Sequence, residues 1–178
     1  MASHSVTSET IEIVNPVAGL RPPALALAPR LAGLAGRRVA IVHGPLAYSR
    51  AVADTLAALL RTAPRGGVAE VVLVPRRHYV MPLTAGEIED LRARVDAVVM
   101  GVGGSRSDTA ITAWDAAEFE SRGVPVAILC SAQGAVLGKT AAASVGAPDL
   151  PLVVIPDSTS GDPRKAAESV LDEIVHAL

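Results

Sequence analysis

The chain has 178 residues, 50% of them hydrophobic, and a formal net charge of −2 at pH 7. This length suits one domain with a large core, and because aromatic residues make up only 2% of the chain, that core must be aliphatic. A charge so close to neutral, without a basic cluster, argues against nucleic acid and against an anionic membrane as partners. The excess of apolar residues favours a homo-oligomer with an apolar subunit interface.

Targeting and membrane-spanning patterns are missing from the sequence. No apolar run reaches roughly 18 residues, the length needed to cross a bilayer, and the polar residues 1–10 do not resemble a signal peptide. The single cysteine, Cys130, excludes an internal disulfide and a cysteine-based structural zinc site. We therefore expect a cytoplasmic protein with a disordered tail over residues 1–10 and a single α/β domain over residues 11–178.

Strand and helix patterns alternate along the chain. Residues 11–14 have the composition of a short strand, and residues 24–34, interrupted by Pro29, that of a short or broken helix. Nearly unbroken Val/Ile/Leu runs predict core strands at 38–43, 70–74, 96–102, 124–130 and 150–155. Helices are predicted at about 48–62, behind a capping box at Thr84, from a cap at Ser107 or Asp108 to about 122, at 131–146, and behind Asp162-Pro163.

Strands that are apolar on both faces require a parallel sheet covered by helices on both sides. Right-handed crossovers then give a three-layer, doubly wound α/β fold with a mainly parallel five-stranded sheet. We expect a flavodoxin-like strand order first and a Rossmann-like order second.

The third core strand runs into a glycine-rich loop and then into polar residues at a helix start. Glycine allows a ligand to approach the backbone, and the amides and dipole of a helix N-terminus favour a carboxylate, a phosphate or an oxyanion. The alternative is a tight turn that binds nothing. The loop around residues 103–109 matches neither the phosphate-binding Gly-Lys-Ser/Thr pattern nor the dinucleotide fingerprint, so we expect a site for a small-molecule substrate there.

Parallel strands bring further polar residues to the same edge of the sheet. His43 ends the first core strand and is a candidate general acid or base, with a hydrogen-bonded loop histidine as the alternative. Cys130 ends the fourth and is either a small buried hydrophobe or a nucleophile. The catalytic candidates are His43, Ser105, Asp108 and Cys130, and the substrate-binding candidates are Gly103, Gly104, Arg106, Ser107, Thr109, Arg76 and Ser131.

No metal or organic cofactor is expected. The four histidines are scattered without ligand spacing. Aromatic residues that would sandwich a flavin are scarce, and the loop after the first core strand, residues 44–47, has few hydroxyl groups.

A set of segments that together cover most of the chain carries a family resemblance. They are residues 27–31, 36–40, 101–103, 123–130 and 146–156, with Thr109, Asp115 and Glu120. In these segments the chain resembles the family named after a U-G-S-C motif, in which U is selenocysteine. The family's motif falls on Ser105-Arg106-Ser107-Asp108, where Ser105 takes the selenocysteine or cysteine position and Asp108 that of the final cysteine. The resemblance implies this fold and a site at this loop, but it does not extend to thiol redox chemistry, which requires two neighbouring thiol or selenol groups.

Two classes of function stay open at this point. One is a non-redox enzyme, such as an isomerase, lyase, cyclase or hydrolase of specialised biosynthesis, acting on a small carbonyl or carboxylate substrate. In it Ser105, Asp108 or His43 would move protons. The other is a noncatalytic binding or partner subunit that keeps a degenerate site. Thiol chemistry at Cys130 is a third hypothesis.

Overall fold

The computed structural model describes residues 22–62, 67–78, 81–102, 106–156 and 161–178, and gives the backbone alone for Val102, Arg106 and Ser107. Five strands and five helices alternate in this part of the chain. They are β1 (Arg38–His43), α1 (Ala47–Arg61), β2 (Glu70–Pro75), α2 (Ala85–Arg92), β3 (Ala97–Val102), α3 (Arg106–Ser121), β4 (Val126–Cys130), α4 (Ala132–Ser144), β5 (Leu152–Val154) and α5 (Pro163–Ala177).

The sheet is parallel throughout and has the strand order β2-β1-β3-β4-β5. This is the flavodoxin-like order, so the first of the two predicted topologies is confirmed. Helices α1 and α5 pack on one face, and α2, α3 and α4 pack on the other. The direction of winding changes between β1 and β3, which makes the carboxyl ends of these two strands the switch point where ligands bind in such folds.

Each face of the sheet carries its own aliphatic core. Along β1, Val39 and Ile41 pack towards α1 and α5, whereas Ala40 and Val42 pack towards α2, α3 and α4. All four are fully or almost fully buried. This two-sided burial explains why the strands appear in the sequence as continuous apolar runs instead of alternating patterns.

The helix predicted over residues 24–34 is wrong, because residues 22–35 contain no helix. Prolines lack the N–H that a helix needs, and the donors of this segment pair with distant groups. Leu25 N donates to Gly146 O at 2.8 Å, and Leu31 N donates to Leu178 O at 2.6 Å. The segment is therefore held as irregular chain against the ends of α4 and α5. The predicted strand at 11–14 and the predicted tail lie outside the described residues.

Helix caps follow the sequence signals closely. Thr84 and Glu87 form the predicted capping box of α2, and Asp162 caps α5 with Pro163 at its first position. Within the described ranges, none of the helices has the length and apolar character needed to span a bilayer.

Candidate active site at the carboxyl edge of the sheet

A bulge at Gly101 shapes the end of β3. Val42 pairs with Met100, but His43 pairs with Val102, so Gly101 is an extra residue in the ladder. Its φ is +81°, and a Cβ there would lie 2.4 Å from the carbonyl oxygen of Leu129. Only glycine fits this backbone. The first glycine of the loop is thus required by the sheet itself, where it redirects the chain at the switch point.

Helix α3 carries a row of polar side chains on its inner face. Asp108, Thr112 and Asp115 follow one another at helical spacing, and all three are buried. The prediction that Ser107 or Asp108 caps this helix is wrong, because α3 begins at Arg106 and Asp108 lies in its first turn. The positive end of the helix dipole favours a carboxylate at that position.

Arg76 connects this row to the strand ends. Its backbone N–H donates to His43 O at 2.8 Å, so Arg76 lies beside the end of β1. Its side chain crosses to α3 and forms a buried ion pair with the Oδ2 atom of Asp115. Arg76 Nη1 also donates to Met81 O at 3.1 Å, and Asp115 Oδ1 accepts from Leu83 N at 3.1 Å. The pair therefore fastens the loop between β2 and α2 to α3.

The two buried carboxyl groups hold their protons more tightly than exposed ones do. Burial raises the pKa of Asp115 to about 6, although the positive charge of Arg76 works in the opposite direction and Asp108 adds to the increase. Burial also raises the pKa of Asp108, again against Arg76. A carboxyl group with a pKa of about 6, as in Asp115, is suited to exchanging protons near neutral pH.

His43 is buried with one ring nitrogen committed. Its Nδ1 donates to Gly44 O at 2.8 Å. A carbonyl oxygen only accepts, so Nδ1 carries a proton, and Nε2 of the neutral ring presents a lone pair. Nε2 is buried and has no hydrogen-bond partner within the described ranges. A buried ring nitrogen of this kind has the form of a general base.

Strand alternation places His43 and Arg76 on different sides of the sheet. His43 follows Val42 on the strand and so faces α1 and α5, whereas the side chain of Arg76 reaches α3. The two residues therefore approach the switch point from opposite faces, joined by their backbone hydrogen bond.

Thr109, Cys130 and Ser131 meet where α3 and α4 begin. Ser131 caps α4, its Oγ accepting from Gly134 N at 3.1 Å. A Cβ on Gly134 would lie 2.7 Å from Thr109 Oγ1 and 3.5 Å from Cys130 Cβ. This close approach of the helices explains the glycine and brings the three candidates together.

The Cys130 thiol is poorly suited to nucleophilic attack. It is buried, and its Sγ lies 3.8 Å from Val153 O. Burial raises its pKa to about 11, so the neutral thiol predominates near pH 7 and the reactive thiolate is scarce. These properties favour the small-hydrophobe interpretation, and nucleophilic chemistry at Cys130 stays a hypothesis.

Replacing Ser131 by alanine tests whether it acts mainly as a helix cap. We expect the free energy of unfolding to fall by about 1 kcal/mol, the usual cost of losing such a cap, as measured by urea denaturation. Ser169→Ala in the middle of α5, where the hydroxyl only returns to Ala166 O, serves as the control and should change stability less. Equal stabilities of the two variants would contradict the capping role.

Part of the predicted site lies outside the described residues. Gly103, Gly104 and Ser105 are not among the described residues, and Arg106 and Ser107 are described by their backbone only; their roles stay predictions. Asp115 is absent from the candidates assigned from sequence, although its spacing of seven residues from Asp108 on one helix was the available signal.

In the part of the chain that the structure covers, no cluster of His, Cys, Asp or Glu has the size of a metal site.

Glu120 serves the fold at the opposite edge of the sheet. Its carboxylate accepts from the backbone N–H groups of Ala28 and Val126, each at 2.7 Å, and pairs with Arg30. These bonds tie the irregular segment before β1 to the start of β4. These structural contacts explain why a carboxylate is buried at Glu120 on α3, without a role for it in the candidate site.

Comparison with known proteins gives one firm assignment. No curated protein matches the chain. A solved structure of a candidate MAR1 ribonuclease from Leishmania major aligns with 79% of this chain and 91% of its own, at 12% identity and a TM-score of 0.41, which is too low to carry an argument. The model of the UGSC family matches residues 12–178. Because that match covers almost the entire sequence, the chain belongs to the UGSC family.

Proposed function

We propose that this protein is a non-redox enzyme that moves protons on a small carbonyl or carboxylate substrate at the carboxyl edge of its sheet. The reaction class is isomerisation, elimination, cyclisation or hydrolysis. The observation that carries the proposal is the pair of buried carboxyl groups with raised pKa, Asp108 and Asp115, next to Arg76 at the switch point. Such groups cost stability and are concentrated where proton transfer is needed.

In this proposal each group has a separate task. The lone pair on Nε2 of His43 removes a proton from the carbon next to the substrate carbonyl. Asp108, in its neutral form, donates a hydrogen bond to the carbonyl oxygen as negative charge develops there. Arg76 supplies the positive field that stabilises this charge. Ser105 stays a candidate for moving protons, and Gly103 and Gly104 stay candidates for substrate binding.

The same proposal accounts for the altered family motif. Ser105 and Asp108 stand where the UGSC motif has its selenocysteine or cysteine and its final cysteine. The chain contains one cysteine, Cys130, and a dithiol cycle within one molecule needs two. Polar side chains able to move protons have taken the place of the redox pair, and the reaction proposed requires no bound cofactor.

Solvent exchange tests the function without knowledge of the natural substrate. The protein is incubated in D₂O with a panel of small 2-oxo acids, hydroxy acids and unsaturated acids, and proton NMR follows loss of C–H signals and the appearance of products. We expect at least one compound to exchange or react, and Asp108→Asn and His43→Ala each to slow it about 100-fold or more. Asp54→Asn, on the exposed surface of α1, is the matched control and should react at the wild-type rate.

Two results would contradict the proposal. One is full turnover in Ser105→Ala, Asp108→Asn and His43→Ala separately, with all three variants folded by circular dichroism. The other is an unreactive panel together with a stable complex with a second protein. That second result favours the noncatalytic partner subunit, for which the Arg76–Asp115 pair would be a structural clamp alone.

A further inference from the structure

A small pocket lies beside Arg76, between the loop that follows β2 and the start of α2. Its volume is about 400 Å³, which falls in the range of small-ligand sites. One part of its wall is basic and another is apolar. The basic residues are Arg76, Arg77 and His78, and the apolar residues are Met81, Pro82 and Leu83.

Arg77 differs from most other arginines of this protein. It is exposed and forms no ion pair with any residue that the structure describes. The acidic residue on the same wall, Glu87, is already engaged, since its Oε2 accepts from both the N–H and the hydroxyl of Thr84 at 2.8 Å. Arg77 thus brings to the pocket a guanidinium that forms no ion pair among the described residues, and its positive charge helps to lower the pKa of Glu87. Among the other exposed arginines that the structure describes, Arg50, Arg92 and Arg164 are paired with carboxylates. Arg37, Arg61 and Arg94 are exposed and have no ion pair with a described residue.

The apolar part of the wall is unusually exposed. Met81 is 57% exposed, whereas Met100, the other methionine among the described residues, is fully buried. Pro82 and Leu83 continue this surface towards Thr84. A pocket lined by a guanidinium and by apolar side chains suits a ligand with an anionic end and an apolar body.

The pocket adjoins the proposed active site through Arg76. The side chain of Arg76 lines the pocket and contacts Asp115 on its other side, while Leu83 N donates to the same carboxylate. The pocket is therefore separated from the Asp115 carboxylate only by the side chain of Arg76 and the backbone of Leu83. The Arg76–Asp115 pair, by fixing both ends of the loop, keeps the pocket preformed.

We infer that this pocket binds the carboxylate of a small organic acid with an apolar body, and that Arg77 determines this specificity. The inference rests on the proposed function only in taking the bound acid as the substrate. Binding itself requires no turnover. Arg77 acts by pairing with the carboxylate, and Met81, Pro82 and Leu83 cover the apolar body.

The test compares three probes by NMR titration of the full-length, ¹⁵N-labelled protein: isovalerate, its neutral amide isovaleramide, and inorganic phosphate. We expect isovalerate to shift amides of residues 76–87, with a Kd about tenfold or more below that of isovaleramide, because a charge-assisted pair is lost in the amide. Arg77→Gln should weaken isovalerate binding by a similar factor. Arg94→Gln, which removes the same charge at the far end of α2, is the matched control and should leave the Kd unchanged.

Several outcomes would overturn the inference. They are equal affinity for isovalerate and isovaleramide, equal effects of Arg77→Gln and Arg94→Gln, tighter binding of phosphate than of isovalerate, and no saturable shift at residues 76–87. Failure here is distinguishable from failure of the proposed function. Reaction in D₂O without Arg77-dependent binding of isovalerate would refute the carboxylate pocket alone. Arg77-dependent binding of isovalerate, together with an unreactive panel and a stable complex with a second protein, would refute the enzyme alone.

Discussion

Replacing Asp115 by alanine is expected to lower the free energy of unfolding by about 3–5 kcal/mol at pH 7. The reason is that Arg76 is buried and would keep its charge without the carboxylate to which it is hydrogen-bonded. Leu83 N would lose its acceptor as well. Urea denaturation followed by circular dichroism measures the change. Loss of this size would leave a protein of ordinary stability only marginally folded.

Two further variants distinguish the cost of leaving a buried charge unpaired from the cost of losing packing contacts. Asp54→Ala removes an exposed i,i+4 partner of Arg50 and should change stability by about 0.5 kcal/mol or less. The double variant Arg76→Met/Asp115→Leu, which removes both charges and keeps apolar volume, should recover most of the loss. If Asp115→Ala is no more harmful than Asp54→Ala, the buried pair does not clamp the loop.

The loss of stability in Asp115→Ala should depend on pH, and the pKa of Asp115 determines whether it grows or shrinks as the pH rises. The pKa of Asp115 in the folded protein, about 6, lies above the ordinary value of 3.8. The folded state then binds this proton more tightly than the unfolded state, so the associated stability is complete below about pH 4 and is lost as the pH rises through 6. The stability difference between wild type and Asp115→Ala should therefore shrink between pH 4 and pH 6. A difference that grows over this interval would show that the ion pair lowers the pKa instead.

The fold was largely predictable because its signals are local. The continuous apolar runs of β1 and β4 and the caps at Thr84 and Asp162 lie in short stretches of sequence, and each is confirmed. Parallel strands and right-handed crossovers leave few strand orders to choose from. The helix predicted over 24–34 is wrong because that prediction followed the Ala/Leu composition of the segment, which favours a helix. The hydrogen-bond partners of the segment, such as Gly146 O, are far away in the sequence.

The location of the candidate site was predictable, but its pairings were not. Topology alone brings His43, Arg76 and Asp108 to one edge of the sheet. The ion pair of Arg76 with Asp115 spans 39 residues and depends on how α3 packs against the loop after β2. The protonated nitrogen of His43 depends likewise on the direction of the Gly44 carbonyl. These interactions depend on tertiary packing and produce no periodic pattern in the sequence.

Gly101 is the point at which the fold and the site depend on one residue, and Gly101→Ala is expected to cost about 3 kcal/mol or more. A non-glycine residue at a φ of +81° costs about 1–2 kcal/mol. The added Cβ would also lie 2.4 Å from Leu129 O, a backbone atom of the central sheet that cannot move aside without disturbing β4. Thermal unfolding and urea denaturation measure the loss.

Gly123→Ala is the matched control for this prediction. Gly123 has nearly the same φ, +80°, but a Cβ there meets no atom within 4 Å. Only the conformational cost of about 1–2 kcal/mol applies to it. The difference between the two variants therefore isolates the clash at the bulge. Equal losses would mean that the end of β3 relaxes around the new methyl group, so that the bulge at the switch point is not rigid enough to fix the geometry of His43 and the α3 carboxyl groups.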